Sequence, residues 1–191
     1  MVAMIKKVTF SFLFFCLLEV LVVSCCEDEY NLYLTSINFT VEDNADFDIT
    51  TIKHEDLQLN LFLTYETELT YLKKELSRLS NKAYATSCDE TYIVRNKATQ
   101  VEITSDATFQ NIEAGNSLNE LFYLNHNGAL KTVDSILDYI NQDTYYYGDF
   151  YQFVLANPIN EDVSASFKIS VSLENGEFIE RSTVTTTITA E

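Results

Sequence analysis

VSASFKISVSLENGEFIERSTVTTTIT, residues 163–189, is the stretch that decides the fold. Val163, Ala165, Phe167, Ile169, Val171 and Leu173 are apolar at every second position, the period of a strand with one buried face. Asn175-Gly176 follows, and Phe178, Val184 and Ile188 keep the same period. An Asn-Gly pair between alternating runs predicts a β-hairpin, because both residues tolerate the positive φ that a two-residue turn demands. Such a turn places Leu173 opposite Phe178, Phe167 opposite Val184 and Val163 opposite Ile188, all on one face. Lys168, Ser170, Ser172, Thr183, Thr185 and Thr187 then face water.

Outward from the hairpin, other segments carry the same period. Leu57, Leu59, Leu61, Leu63 and Tyr65 alternate with polar residues apart from Phe62. Leu34–Val41 reads as a strand, Ile93-Val94 and Val101–Ile103 as parts of two short ones, and Phe150–Leu155 as an aromatic one. The last ends at Asn157-Pro158, since the residue before proline is pushed to extended geometry. Three short helices are expected between strands. Leu69, Leu72, Leu76 and Leu79 have helical spacing, with Asn81 as a stop. Ser117-Leu118-Asn119-Glu120 has capping-box spacing ahead of Leu121 and Phe122, with Asn127-Gly128 as the stop. Val133, Ile136, Leu137 and Ile140 form one stripe, with Thr132 as N-cap. The expected fold is mainly β: an antiparallel β-sandwich-like domain with two or three short helical insertions and a C-terminal β-hairpin. The runner-up is an α+β sheet with helices on one face.

The N-terminal end carries an address. Lys6 and Lys7 precede the apolar run Val8–Val23, which Thr9, Ser11 and Glu19 interrupt. A spanning helix needs roughly 20 apolar residues, and a charge near mid-bilayer costs about 2.5–3.5 kcal/mol on insertion scales. Both points weigh against a permanent transmembrane helix and leave a cleaved signal. Val22-Val23-Ser24-Cys25 resembles the lipobox of bacterial lipoproteins, with Val in place of the usual Leu at its start. The resemblance implies a signal peptide over 1–24, acylation of Cys25 and attachment by two or three acyl chains, palmitate among them. A cleaved secreted protein is the alternative. Cys26-Glu27-Asp28-Glu29 follows, and residues 25–31 read as an acidic tether. That acidic start resembles the export signal of Bacteroidetes outer-membrane lipoproteins, which implies an outer-membrane location with possible exposure at the cell surface. Ala83–Cys88, Ile103–Phe109 and Ala114–Phe122 resemble recurring stretches in a group of roughly 200-residue Bacteroidetes lipoproteins without assigned activity. That likeness brings no functional residues with it.

Composition bounds the partners. The chain of 191 residues has a formal charge of −17. Loss of residues 1–24 lowers its 12 basic and 29 acidic residues to 10 and 28, a formal −18. Nucleic acid is excluded as a natural partner, because phosphate binding is driven by Lys and Arg releasing counterions. Anionic lipid repels such a chain as well, so the membrane is a partner only through the anchor. One Pro and four Gly leave little linker material, and residues 32–191 read as a single β-rich domain. Cys16 leaves with the signal, so Cys26 and Cys88 remain as a possible disulfide in an oxidising compartment, or as two free thiols.

Motifs for chemistry are missing from the sequence. His54 and His126 lie in polar, turn-like surroundings without metal-ligand spacing, and no nucleophile elbow, dinucleotide loop or phosphate loop occurs. Cys88-Asp89 has no local base to activate it. Glu42–Asp48 gathers oxygen ligands, but it lacks the glycine and distal glutamate of a calcium loop and reads as a solvated acidic loop, with a weak calcium site as the alternative. No catalytic residue, metal site or cofactor is expected. Thr144–Phe153 is the most suggestive stretch. It holds Tyr145, Tyr146, Tyr147, Phe150, Tyr151 and Phe153, more rings than one strand face can bury. Tyr145, Tyr146, Tyr147 and Tyr151 are therefore candidates for a contact surface. The reading is a non-enzymatic, lipid-anchored surface module that binds or adheres to a protein or glycan. The alternative is a structural or accessory subunit of an envelope assembly, joined through a strand edge.

Overall fold

Every period-two segment of the sequence becomes a strand. The structure, a computed structural model, describes residues 29–43, 46–47, 50–70, 91–143 and 150–190. Its strands are β1 (Glu29–Asp43), β2 (Asp46–Phe47), β3 (Thr51–Lys53), β4 (Gln58–Leu69), β5 (Thr91–Val94), β6 (Ala98–Ser105) and β7 (Phe122–His126). They continue as β8 (Ala129–Thr132), β9 (Phe150–Leu155), β10 (Val163–Ala165), β11 (Phe167–Leu173), β12 (Phe178–Ser182) and β13 (Thr186–Thr189). The fold is mainly β, with packed sheets and short helical insertions, as the patterning predicts.

The chain falls into two compact units, Met1–Asn31 with Thr67–Ile93, and Leu32–Glu66 with Val94–Glu191. In the described part of the smaller unit, the amide and hydroxyl of Thr70 both donate to the Glu29 carbonyl, at 3.1 and 2.7 Å. Tyr30 and Tyr92 stack there with ring centroids 5.3 Å apart. The larger unit holds three sheets, in the orders β2-β1-β4-β9-β7-β8, β10-β13-β3 and β12-β11-β6. β1–β2, β4–β9, β9–β7, β7–β8, β10–β13, β12–β11 and β11–β6 pair antiparallel, and β13–β3 pairs parallel. One apolar cluster lies among them. Leu59, Phe153 and Leu124 are fully buried in a row across β4, β9 and β7. Phe167 meets Phe109 and Phe122 edge-on at 5.4 and 5.9 Å.

The C-terminal hairpin forms one residue out of the expected register. β11 and β12 pair Ser172 with Phe178 and Lys168 with Ser182. Phe178 therefore points away from the core and is 67 % exposed. The turn is the cause. Of Asn175-Gly176, only the glycine has positive φ, at +85°. The Gly176 amide donates to the Leu173 carbonyl at 3.0 Å, and the Leu173 amide to the Glu177 carbonyl at 2.8 Å. This is a type I turn followed by a left-handed glycine bulge, a loop one residue longer than the expected turn. Asn175 Oδ1 also accepts the Glu177 amide at 3.0 Å, an Asx turn. One residue of slip sends a side chain to the other face.

The register is then recovered. Val163 lies opposite Ile188 as expected, because Thr183–Thr185 is longer by one residue than Ser166-Phe167 across from it. At this bulge the arms pass from the β12-β11-β6 sheet to the β10-β13-β3 sheet, a sandwich corner. Thr183, expected in water, is buried, and its Oγ1 accepts the Phe167 amide at 3.0 Å. Val184 turns outward instead.

One of the helical expectations also changes. Asn127-Gly128 ends no helix. Both residues have positive φ, +52° and +79°, and they join β7 to β8 as a two-residue hairpin turn with His126 opposite Ala129. Only a 3₁₀ turn forms ahead of it, at Asn119–Leu121, because burying Phe122 and Leu124 on one side demands an extended chain. Leu69 ends β4, and Leu72, Leu76 and Leu79 lie outside the described residues. The third expectation holds in shortened form. A 3₁₀ turn at Val133–Ile136 runs into a single α-helical turn, Leu137–Ile140, burying Val133, Ile136 and Ile140. Thr132 precedes it without a side-chain cap bond.

Three asparagines pair with strand backbone through their side chains. Asn96 accepts the Leu34 amide at 2.8 Å and donates to the Leu34 carbonyl at 2.9 Å. Asn141 does the same for Ala98, at 2.8 Å in each direction. Asn119 accepts the Ile103 amide at 2.9 Å and donates to the Val101 carbonyl at 2.8 Å. A carboxamide has the donor and acceptor of a peptide unit, so Asn119 and Asn141 stand in for a missing neighbour on the edge strand β6, and Asn96 pairs in the same way with Leu34 of β1, an interior strand. An edge satisfied this way no longer offers a template to another chain.

Candidate functional site

Alternation along β4, β9, β7 and β8 sorts two faces. Leu59, Leu61, Tyr151, Phe153 and Leu124 form the buried one. The opposite face is built in register: Gln58, Val154, Tyr123 and Thr132 in one row, then Asn60, Gln152, Asn125 and Leu130 in the next, then Phe62 with Phe150, and of these Asn60 is itself buried, at 1 % exposure. The amides of the middle region are joined. Gln152 Nε2 donates to Gln58 Oε1 at 2.8 Å, and Asn125 Nδ2 donates to Gln152 Oε1 at 2.9 Å. Phe62 and Phe150 touch at 5.9 Å between centroids. Phe150 is 56 % exposed, Tyr123 40 % and Leu130 60 %. The face is thus a hydrogen-bonded carboxamide row with apolar groups at its margins.

Every position in these three rows is uncharged, on a chain with 29 acidic and 12 basic residues. The nearest charge on β8, Lys131, belongs to the other parity. Its ammonium sits 5.0 Å from the Tyr139 ring centroid and donates to the Tyr139 hydroxyl. The His126 ring stacks on Tyr139 at 4.1 Å, with the Asn127 amide 3.1 Å from its Nε2. Tyr139 and Tyr151 rings lie 6.3 Å apart. These groups close the end of the core beneath the β7–β8 hairpin rather than joining the uncharged face.

A concavity lies at the tip of the β11–β12 hairpin. It is an open cleft of about 890 Å³ whose lining includes Tyr33, Arg95, Glu174, Glu177 and Phe178. It mixes one guanidinium with two carboxylates, and Asn175 Nδ2 donates to Glu177 there at 2.8 Å. Among the described residues, no group of three or more His, Cys, Asp or Glu is placed to hold a metal ion. His54 stands in a 3₁₀ turn with Nδ1 3.3 Å from the Thr189 carbonyl.

Of the tyrosines proposed for contact, Tyr151 is a correction. It is 5 % exposed, because it takes the inward parity opposite Leu61. Tyr145, Tyr146 and Tyr147 lie outside the described residues, as do Cys25, Cys26 and Cys88 and the side chains of 42–49. Among the described residues of the same aromatic stretch, Phe150 reaches solvent. Tyr123 and Asn125 escape sequence reading because 117–127 carries a helix signature, and Leu130 because it follows the stop expected at Asn127-Gly128. Phe62 leaves a trace there, as the one break in the alternation of its strand. Among the described residues, no helix is long and apolar enough to cross a membrane. Compared with known proteins, the chain matches no family model and has no significant match among curated proteins.

Proposed function

We propose that this chain is a non-enzymatic, lipid-anchored protein of the cell envelope, a surface binding or adhesion module for a protein or glycan. The uncharged amide-and-aromatic face of β4, β9, β7 and β8 carries the reading. Phe150, Tyr123 and Leu130 are large apolar side chains left in water beside one another's rows, and exposed rings of this kind supply rigid contact area. The lipobox at Val22–Cys25 supports an outer-membrane address with the anchor at Cys25. The test is binding of the full chain to immobilised envelope and extracellular proteins and to arrayed glycans, beside the double variant Tyr123→Ala/Phe150→Ala. The variant is expected to lose the wild-type interaction by about tenfold or more, the usual scale for truncating an anchoring ring. Wild-type binding by the double variant to every target would overturn the reading.

One observation favours the alternative, an accessory subunit of an envelope assembly. β8 and β12 end their sheets, and neither carries an asparagine brace like those on β1 and β6. A partner strand added at β8 would leave a cross-linked product on mixing with that partner, through cysteines placed at Lys131 and on the added strand.

A further inference from the structure

We infer that the ligand of the β4-β9-β7-β8 face is a neutral oligosaccharide, which rests on the binding role proposed above for that face. Three observations select this chemistry. The first is the order of polarity across the surface. Protein interfaces place apolar anchors at the centre and polar groups at the rim. Here the order is reversed: the carboxamides of Gln152 and Asn125 hold the middle row, joined to Gln58 in the row beside it, and Phe150, Tyr123 and Leu130 flank them. A sugar ring carries both kinds of surface, hydroxyls at its edge and C–H groups on its face. The edge meets amides and the C–H face meets an aromatic ring.

The second observation is the hydrogen-bond inventory of the row. Each carboxamide has two donor hydrogens and an oxygen with two lone pairs. The bonds from Gln152 to Gln58 and from Asn125 to Gln152 fix the orientation of these groups and use only part of that capacity. The remainder offers donors and acceptors side by side, which a hydroxyl needs because it both gives and takes a hydrogen bond. Prior bonding within the row lowers the entropy lost on binding.

The third is charge. No cation lies in the three rows, and the chain as a whole has a formal −17. An anionic glycan finds no partner there and meets long-range repulsion. Lys131, the nearest cation on β8, is held against Tyr139 on the other side. The cleft at the β11–β12 tip is the competing location, and its guanidinium and carboxylates suit a charged ligand better.

The test uses the full chain in a non-glycosidic detergent, titrated with neutral glucan, mannan and galactan oligosaccharides and with sialylated, sulfated and uronate-containing ones. Neutral members should bind, and anionic ones should not. Phe150→Ala and Gln152→Leu should each weaken the bound neutral sugar about tenfold, while Phe178→Ala at the hairpin tip leaves it unchanged. Both altered side chains lie on the solvent side, and unchanged circular dichroism verifies the fold. The inference is overturned if no neutral sugar binds, if anionic sugars bind better, or if Phe178→Ala abolishes binding and Phe150→Ala does not. If Tyr123→Ala/Phe150→Ala loses only non-glycosylated protein targets, the sugar inference fails while the binding role of the face stands.

Discussion

Asn141 shows how much of this fold hangs on single side chains. Its Oδ1 and Nδ2 meet the amide and the carbonyl of Ala98, both at 2.8 Å, at the outer edge of β6. Removing one partner of a buried hydrogen bond costs about 1–3 kcal/mol, because the group left behind stays desolvated. Ala98 is nearly buried, so Asn141→Ala should lower unfolding free energy by about 2 kcal/mol in a urea titration. Asn141→Asp keeps the acceptor and sets a carboxylate against the Ala98 carbonyl, and it should lose at least as much. A change below a few tenths of a kcal/mol would show that water replaces the amide without penalty. This device is invisible in sequence. Asparagine favours turns and caps by local bonding, so Asn96, Asn119 and Asn141 read as loop residues until the strand each one serves is in place. The pairing partners stand 62, 16 and 43 positions away. Tyr151 was misread for a related reason: counting rings in Thr144–Phe153 does not say which parity faces the core, whereas the partner strand does.

At the scale of the element, two Asn-Gly pairs behave differently, and local chemistry explains both. Asn127-Gly128 joins β7 to β8 directly, with both residues left-handed. At Asn175-Gly176 the Asn side chain engages the Glu177 amide instead, and Gly176 alone turns left-handed. The alternating pattern named the strands of this hairpin correctly, but its register depends on turn type. That choice is made by a competition between side-chain and backbone bonds that the dipeptide does not reveal. A Cβ on Gly176 meets nothing within 4 Å, so the cost of Gly176→Ala is conformational. It should amount to about 1–2 kcal/mol, the cost of left-handed backbone for an L-residue. Gly176→Asn should cost less, since asparagine visits that region more readily. Thermal unfolding should show a loss of about 2–4 °C per kcal/mol for a chain of this size. Equal melting temperatures for Gly176→Ala and wild type would show that the left-handed position carries no such cost. Thr183→Val probes the second half of the same element. It removes the hydroxyl that accepts the buried Phe167 amide at 3.0 Å, and about 1–3 kcal/mol should be lost although the shape is kept.

At the scale of the whole molecule, attachment and charge oppose each other. Anionic leaflets attract basic segments by about 1 kcal/mol for each Lys or Arg near the surface. After loss of residues 1–24 this chain has 28 acidic and 10 basic residues, so the sign of that interaction is reversed. Among the described residues no helix can span the bilayer, and the exposed apolar side chains are spread over separate strands instead of forming an amphipathic helix. On the proposed lipobox reading, membrane retention falls to acyl chains on Cys25. One myristoyl-sized chain gives an association constant of only about 10⁴ M⁻¹, whereas two or more chains hold stably. The full chain is expected to stay with the membrane fraction through high-salt and alkaline washes, since neither weakens hydrocarbon burial. Cys25→Ala is expected to move almost entirely to the soluble fraction, and low salt should make its release more complete because repulsion is then less screened. Cys26→Ala should stay with the membrane, which separates the acylated position from its neighbour. Retention of Cys25→Ala that weakened with salt would point to a cationic contact that the composition does not supply. Retention that ignored salt would place the anchor elsewhere in the chain and remove the lipobox reading.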